Sequence, residues 1–247
     1  MNDTIKALFE RKSVRAFEKK EIPAEHKALI LESAIQAPTA GNQILYTILD
    51  ITDQEKKDRL AVLCDNQPFI ATAPLVLIFL ADCRRWLDSY RFAGIEARNP
   101  GLGDLMLSCS DACIAAQNTV VAAESLGIGS CYIGDVMERE EDMRELLALD
   151  SFVFPIAMLV YGYPTEQQKE RRKPSRFERE YIVLENTYRR LSGAEHREMY
   201  QRRGDLEKRS FEDFMKAFCE RKYMSDFSLE MSRSVGKYLE NFRSADD

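Results

Sequence analysis

Apolar and small residues occupy nearly every position between 105 and 126, where the spacing predicts one long helix. A helix that is apolar on all of its faces is normally buried. The acid Asp111 and the amides Gln117 and Asn118 argue against a place in a lipid bilayer. Because one small domain covers all sides of such a helix poorly, the pattern predicts that a second subunit packs against it.

The residues at the two ends of this helix are typical helix-capping residues. Asp104 suits the first turn, where an acid faces the positive end of the helix dipole, and Gly127 suits the position after the last turn. The β-prone run 130–135 that follows contains Gly134, which predicts a strand and a tight glycine bend where backbone amides approach a ligand. If the helix forms the subunit interface, a charge at Ala116 is expected to disrupt the dimer.

Shorter periodic segments predict the remaining elements of the chain. Helical spacing is found over 3–11, 23–37, 53–64 and 138–147, and apolar runs of strand length over 44–52, 74–81 and 154–163. The residues expected to face inward in the first two helices are Ile5, Leu8, Phe9, Leu29, Ile30, Ala34 and Ile35. Residues 83–103 are expected to form a mobile helical excursion beside a site.

Hydrophobic density falls after residue 186, while charges alternate and aromatic residues recur. We interpret 1–188 as the folded body and 189–247 as a helical C-terminal arm packed on the dimer. With 247 residues, 45% of them hydrophobic, the chain can bury one substantial core.

The net charge and the cysteines limit which classes of binding partner and which cellular compartment are expected. A net charge of −6 argues against nucleic acid as a partner. The charged first 15 residues lack an apolar leader segment, and no stretch is interpreted as a membrane span. Six cysteines without a CxxC spacing are typical of a reduced, cytoplasmic protein.

Catalysis by side chains is poorly supported. His26 and His196 are the two histidines, both in charged contexts, so neither a nucleophilic triad nor a metal site has credible partners. Cys109 and Cys113 share a helix face, and we interpret them as packing residues and expect no metal. A bound cofactor is therefore expected to carry out the chemistry.

Three segments offer binding groups for such a cofactor. The cations of 11–15 surround Ser13 and suit a phosphate, although a charged run after a surface helix is also typical of a solvated end. The loop 37–43 offers amides to a flat polar heterocycle, or is a plain turn. A basic run occupies 169–173.

Together these segments resemble a known family. RKSVR (Arg11 to Arg15), APTAGNQ (Ala37 to Gln43), ESLGIGSCYIGD (Glu124 to Asp135) and GYP followed by the basic run are similar, in order and spacing, to the FMN-dependent nitroreductase family. The segment NQPFIATAPLVLIFLADCRRW and the long C-terminal arm resemble the branch of NADPH-dependent, oxygen-insensitive nitroreductases and NADPH–flavin oxidoreductases.

The resemblance implies an α+β fold with a mostly antiparallel central sheet flanked by helices. It also implies an intertwined homodimer with FMN at the interface and NADPH, or NADH, as electron donor. Hydride would pass through flavin N5 to nitroaromatic, quinone or flavin acceptors, with no catalytic side chain. Alternatives are an FMN-binding module without turnover, or a reductive dehalogenase or flavin-fragmenting enzyme of the same fold.

Residue by residue, the resemblance assigns ligand positions for both nucleotides. The FMN phosphate and ribityl chain would be held by Arg11, Lys12, Ser13, Arg15, Lys169 and Arg171, with Lys173 as the alternative if the register slips. The flavin would be met by Thr39 and Asn42 of the partner subunit, by Gln67, and by the segment Tyr132, Ile133, Gly134 and Asp135. The backbone at Gly134 and Asp135 would lie near N5, and Asp135 replaces a glycine expected in that branch.

The arm would bind the 2′-phosphate of NADPH through Arg203 and Lys208, with Arg202 and Arg209 as reserves. The alternative interpretation of this run is a solvated helix end, since Asp205 and Glu207 offset its cations.

Overall fold

A four-stranded antiparallel sheet forms the centre of the fold. The computed structural model describes residues 1–243 and orders the strands β1-β2-β4-β3. The strands are β1 (Tyr46–Asp50), β2 (Leu75–Asp82), β3 (Gly129–Ile133) and β4 (Val153–Gly162). All three pairings are antiparallel, which confirms the predicted α+β class.

Helices cover both faces of this sheet and continue into the C-terminal part of the chain. They are α1 (Asp3–Glu10), α2 (Ala24–Ile35), α3 (Gln54–Leu63), α4 (Pro68–Ala71), α5 (Arg84–Phe92), α6 (Leu102–Ser125), α7 (Glu140–Leu147), α8 (Glu166–Glu170), α9 (Gly193–Arg203), α10 (Phe211–Phe218) and α11 (Asp226–Glu240).

The alternation of side chains along β2 divides the core into two layers. Leu77 and Phe79 join a cluster with Ala112, Ala116 and other small residues of α6. The intervening residues of β2 pack on the opposite face, against residues of α3 and α7. Because β2 is buried on both faces, it has a continuous apolar sequence rather than an alternating one.

The helix α6 is capped as the sequence indicates, although it begins three residues earlier than predicted. The carboxylate of Asp104 accepts a hydrogen bond from the backbone N–H of Gly101 at 2.8 Å, and Gly127 adopts a left-handed φ of 71°. By length and composition α6 could cross a membrane. One side of it nevertheless packs on the sheet as a core helix.

The opposite side of α6 is exposed in the single chain, as expected if a second subunit covers it, and that cover stays a prediction. Met106, Leu107 and Ile114 are 67%, 52% and 40% exposed. Ala116 is fully buried on the sheet side. The interpretation of Ala116 as an interface position is therefore wrong, because a charge there would disrupt the subunit's own core.

Exposed apolar residues also occur on the first two helices. Ile5, Leu8 and Phe9 of α1 were expected to face inward, but α1 buries none of its residues and Phe9 is 68% exposed. On α2, Ile30 and Ala34 are buried as predicted, whereas Leu29 and Ile35 are exposed. Helical periodicity identifies an apolar side, but it does not say whether the same chain covers that side.

Contacts divide the chain into two compact units. One contains Met1–Arg171 with the chain from Glu230, and the other contains Arg172–Leu229. The predicted boundary at residue 188 lies inside the second unit, and the docking of an arm on a dimer stays a prediction.

Candidate functional site

The segment 11–15 lies along the first residues of β3. Ser13 and Ser130 form a parallel bridge, and the backbone N–H of Val14 donates to the carbonyl of Ser130 at 2.9 Å. A Cβ on Gly129 would lie 2.5 Å from Cγ2 of Val14. Glycine at this position therefore allows the close approach of the two backbones.

The same segment is joined to the turn that follows α8. The ammonium of Lys12 donates to the backbone carbonyls of Lys169 and Arg171, and the guanidinium of Arg171 donates to the carbonyl of Ser13. The backbone N–H of Arg15 donates to the side chain of Gln168 at 3.3 Å. The structure thus brings together the two predicted phosphate-binding segments, which lie more than 150 residues apart in the chain.

The two side-chain ammonium groups of this site are already engaged. Lys12 holds the two carbonyls, and Lys169 pairs with Glu166 at 2.6 Å and with Glu18 at 3.3 Å. These carboxylates raise the pKa of Lys169, with Glu166 as the larger cause. The guanidinium groups are therefore the better candidates for an anion.

Two arginine nitrogens in the site lack a protein partner. The Nε atoms of Arg11 and Arg171 are buried and have no hydrogen-bond partner within residues 1–243. A buried donor without an acceptor carries a cost of about 1–3 kcal/mol, so an acceptor at this place is favourable. A phosphate has the charge and the oxygen atoms to satisfy both groups, and Arg15 and the Ser13 hydroxyl lie on the same segment.

Residues 132–135 continue from β3 into a short 3₁₀ turn over Asp135–Met137. Ile133 is buried, while Gly134 is exposed and Tyr132 is 38% exposed. Partial burial of the Tyr132 side chain raises the pKa of its hydroxyl. Gly134 has a φ of −81°, and a Cβ there would meet Met137 at an ordinary 3.7 Å. The expectation of a bend that requires glycine is therefore wrong, because the backbone turns in a conformation open to any residue.

The side chains of Gln67 and Asp135 are hydrogen bonded to each other. The amide nitrogen of Gln67 donates to the Asp135 carboxylate and to the carbonyl of Cys64, the latter at 2.8 Å. Both N–H groups of the amide are therefore used, and Gln67 can offer a ligand its carbonyl oxygen. The structure brings Gln67 to the segment predicted to face the flavin.

The loop that carries Thr39 and Asn42 is fixed to α6 by a buried acid. Asp111 accepts hydrogen bonds from the Thr39 hydroxyl, from the backbone of Ala40 at 3.0 Å and from the backbone of Leu45 at 3.3 Å. Asn42 is exposed at the tip of the loop, with a left-handed φ of 57°. No hydrogen bond joins this loop to residues 11–15 in the described part of the chain, so its contact with a partner's flavin stays a prediction.

Sequence reasoning missed the function of Asp111, although the signal was present. An acid in the middle of an apolar helix must find donors or remain exposed. The backbone N–H groups that satisfy Asp111 belong to Ala40 and Leu45, more than 60 residues earlier in the chain.

In the second unit, the predicted NADPH residues differ in their surroundings. The guanidinium of Arg203 lies 3.8 Å from the ring centre of Phe177 and pairs with Asp205 at 2.5 Å. Lys208 is exposed, and it forms no ion pair among residues 1–243. The reserve residue Arg202 is engaged with three carboxylates, Glu178, Glu180 and Glu198.

A further acid near Asp135 was not identified from the sequence. Glu138 is 5% exposed, and its Oε1 atom has no hydrogen-bond partner in the described residues. Burial, followed by the charge of Asp135, raises the pKa of Glu138 to about 7. Nothing in the local pattern distinguishes it from the other acids between residues 140 and 145.

Comparisons with known proteins agree on one family. The model of the nitroreductase family matches residues 8–163. An FMN reductase of Bacillus subtilis that uses NAD(P)H is 33% identical over 76% of this chain and 75% of its own. An oxygen-insensitive NADPH nitroreductase of Salmonella typhimurium is 31% identical over 77% of each chain. The solved structure of the NfrA1 nitroreductase of B. subtilis has a TM-score of 0.76, with 28% identity, and covers 93% of this chain and 98% of that one.

The family match extends over the arginine segment, the loop fixed by Asp111, the whole sheet and the turn at Asp135. It therefore includes most of the elements that build the site. The chain belongs to the nitroreductase family.

Proposed function

We propose that this protein is an FMN-dependent oxidoreductase that transfers hydride from NADPH, through flavin N5, to nitroaromatic, quinone or flavin acceptors. Its relatives are named as an FMN reductase that uses NAD(P)H, an NADPH–flavin oxidoreductase and an oxygen-insensitive NADPH nitroreductase. The observation that carries the proposal is a pair of buried arginine Nε atoms, on Arg11 and Arg171, that have no acceptor among residues 1–243.

The residues present suit FMN at both of its ends. Arg11, Arg15 and Arg171 supply positive charge for the phosphate, and Ser13 supplies a hydroxyl. The carbonyl of Gln67 suits a ring N–H of the flavin, and the backbone of Ile133, Gly134 and Asp135 would face N5. Lys12 and Lys169 would then contribute to FMN binding indirectly, because they stabilise the turn that carries Arg171.

FMN supplies the hydride chemistry when it is bound. The protein's task is to hold the ring, to place donors along its edge and to exclude water. This assignment needs no side-chain acid or base, in agreement with the engaged state of Gln67 and Asp135.

We infer a homodimer in the cytoplasm. The exposed stripe on α6 (Met106, Leu107 and Ile114) is apolar, and α1 packs beside α6 with its own apolar residues exposed. A second copy would cover this surface by its two-fold symmetry, and it would bring the loop with Thr39 and Asn42 to the partner's flavin. The cytoplasm suits the six free cysteines.

The 2′-phosphate of NADPH is assigned to Arg203 and Lys208. Arg203 is held in one position by Phe177 and Asp205, which suits a residue that must be ready before the nucleotide arrives. Lys208 is exposed and close in sequence.

The experiment that tests this function is a steady-state assay of purified, FMN-loaded protein. We expect NADPH oxidation that depends on menadione, nitrofurazone or free FMN, and a stoichiometry of one FMN per chain. Protein that binds FMN but shows no acceptor-dependent oxidation would be a flavin-binding module. Release of halide from a halogenated phenol in place of nitro reduction would indicate a dehalogenase.

A further inference from the structure

A buried acid cluster lies behind the segment predicted to face the flavin. The charged and titratable groups that face Glu138 come from three directions: Cys64 and Asp65 after α3, Asp135 and Arg139 from its own turn, and Glu230 from α11. β4 and α7 also pack on this turn. β4 contributes no charged side chain, and the buried acid of α7, Glu140, pairs with Arg144 at 2.6 Å. Negative groups therefore outnumber positive ones around a carboxyl that is 5% exposed.

Two of the acids that flank Glu138 accept hydrogen bonds from other groups. The Asp135 carboxylate accepts from Gln67, and Glu230 pairs with Arg233 at 2.9 Å and accepts from the backbone of Arg139 at 3.2 Å. The bond to Arg233 lowers the pKa of Glu230 to about 2. In contrast, Oε1 of Glu138 is buried without a hydrogen-bond partner among residues 1–243. A buried, unpaired carboxyl favours its neutral form.

Glu138 is also connected directly to the candidate site. Its backbone N–H donates to the carbonyl of Asp135 at 3.0 Å, and the Asp135 side chain is hydrogen bonded to Gln67. The charges of the Glu138 and Asp135 carboxyl groups also act on each other, so a change of charge on Glu138 acts on the acid that holds Gln67. The short 3₁₀ turn fixes the distance between them.

We propose that Glu138 takes up a proton from solvent when the flavin is reduced and releases it to solvent when the flavin is reoxidised. It acts on the flavin site through Asp135 and not by contact with the flavin. The inference rests on the proposed function. NADPH gives hydride, which is two electrons and one proton, so the reduced site gains one negative charge. One solvent proton bound to the Glu138 carboxylate balances that charge. When hydride passes on to an acceptor, the site loses the negative charge and Glu138 releases the proton to solvent.

The physical reason is electrostatic. Glu138 titrates near neutral pH, because burial and the neighbouring acids raise its pKa to about 7. A further negative charge nearby raises the pKa again, so that the carboxyl is neutral in the reduced protein and partly ionised in the oxidised one. Between these two pKa values, reduction is accompanied by the uptake of one additional proton.

The test is the midpoint potential of the FMN-loaded protein as a function of pH, measured by dye equilibration between pH 5.5 and 9. For a two-electron couple, one additional proton makes the potential fall by about 30 mV more per pH unit. We expect this steeper segment near and above pH 7 in the wild type and its loss in Glu138→Gln. Glu145→Gln, which removes an exposed acid from α7, is the matched control and should keep it.

Reaction-induced infrared difference spectra of the wild type give a second measurement that needs no variant. Reduction at pH 8 should produce a band of a protonated carboxyl. Equal slopes in the wild type and in Glu138→Gln, or the absence of the carboxyl band, would overturn the inference while leaving the flavin function intact. A chain that binds no flavin would overturn the proposed function and this inference with it.

Discussion

Arg171 makes a structural hydrogen bond and also has a hydrogen-bond donor left for a ligand. Its guanidinium donates to the Ser13 carbonyl, and its Nε is buried without a partner in the described chain. The Nε of Arg11 is likewise buried without a hydrogen-bond partner among residues 1–243. The two unsatisfied donors therefore lie on the two segments that are assigned to the FMN phosphate.

Replacing Arg171 by alanine should weaken FMN binding. A charge-assisted contact to phosphate contributes about 1.5–3 kcal/mol, so the dissociation constant should rise about ten- to a hundredfold. Fluorescence titration of the apoprotein with FMN measures the change. Arg172→Ala removes the exposed neighbouring cation and is the matched control. Equal FMN affinities in the two variants would contradict the assignment of Arg171.

Glu138 should make the stability of the apoprotein depend on pH. Its folded-state pKa of about 7 lies above the ordinary value for glutamate, so the folded form binds the proton more tightly than the unfolded form. Stability is therefore lost as the pH rises from the ordinary value through about 7. Glu138→Gln should raise the free energy of unfolding at pH 8 by about 3 kcal/mol and leave it nearly unchanged at pH 4. Urea denaturation at both pH values measures this, and an equal effect at both would contradict it.

The sequence identified the segments of cations but not the function of each cation. Lys12, Arg15 and Arg171 are all plausible phosphate ligands by residue type. Their different functions depend on carbonyls and carboxylates that lie more than 150 residues away, and one sequence does not reveal those distances. Asp111 and Glu138 were missed for a related reason, since the importance of an acid depends on what surrounds it.

At the scale of elements, α6 has two different sides. The sheet side consists of small residues that allow close packing, and the exposed side carries Met106, Leu107 and Ile114. An apolar stripe of this length on an isolated chain indicates a surface for a partner.

Ile114→Glu should therefore prevent dimer formation without unfolding the subunit. A charge buried in an apolar interface without a partner costs several kcal/mol, whereas at an exposed position it costs little. We expect a folded monomer with reduced FMN content, as measured by sedimentation velocity and absorbance. Ser125→Glu, at the exposed end of the same helix, is the control and should remain dimeric. A dimeric, flavin-loaded Ile114→Glu protein would show that this stripe is not the interface.

The end of α9 allows a test of nucleotide selectivity. Arg203→Ala should raise the KM for NADPH about tenfold or more and leave the KM for NADH and the FMN content nearly unchanged, the scale of one charged hydrogen bond. Because Arg203 also stacks on Phe177, Lys208→Ala is the cleaner second variant. Arg190→Ala removes an exposed cation of the same unit and serves as the control. A wild-type protein that uses both nucleotides equally would contradict this assignment.

Elements with a strong pattern were predicted well. The strands β2 and β4 are continuous apolar runs because helices cover both faces of the sheet, and the structure shows them within one residue of the predicted limits. The inward sides of α1 and α2 were predicted poorly, since Phe9 and Leu29 are apolar but exposed in one chain. The sequence shows that such residues need cover, but not which molecule provides it.

In the whole molecule, the fold brings three distant segments of the chain together beside β3. The parallel bridge to Ser130 places the arginine segment, the turn after α8 completes it, and the strand leads into the turn at Asp135. The family resemblance predicted this order of motifs. The number of subunits and the use of the C-terminal part of the chain remain proposals.

Anaerobic titration with NADPH tests most directly whether this chain holds FMN and passes electrons through it. We predict a yellow protein whose flavin absorbance near 450 nm is bleached by one equivalent of NADPH per bound FMN. The absorbance should return on addition of an equimolar quinone under nitrogen. A flavin-loaded protein that stays yellow with excess NADPH would contradict the account.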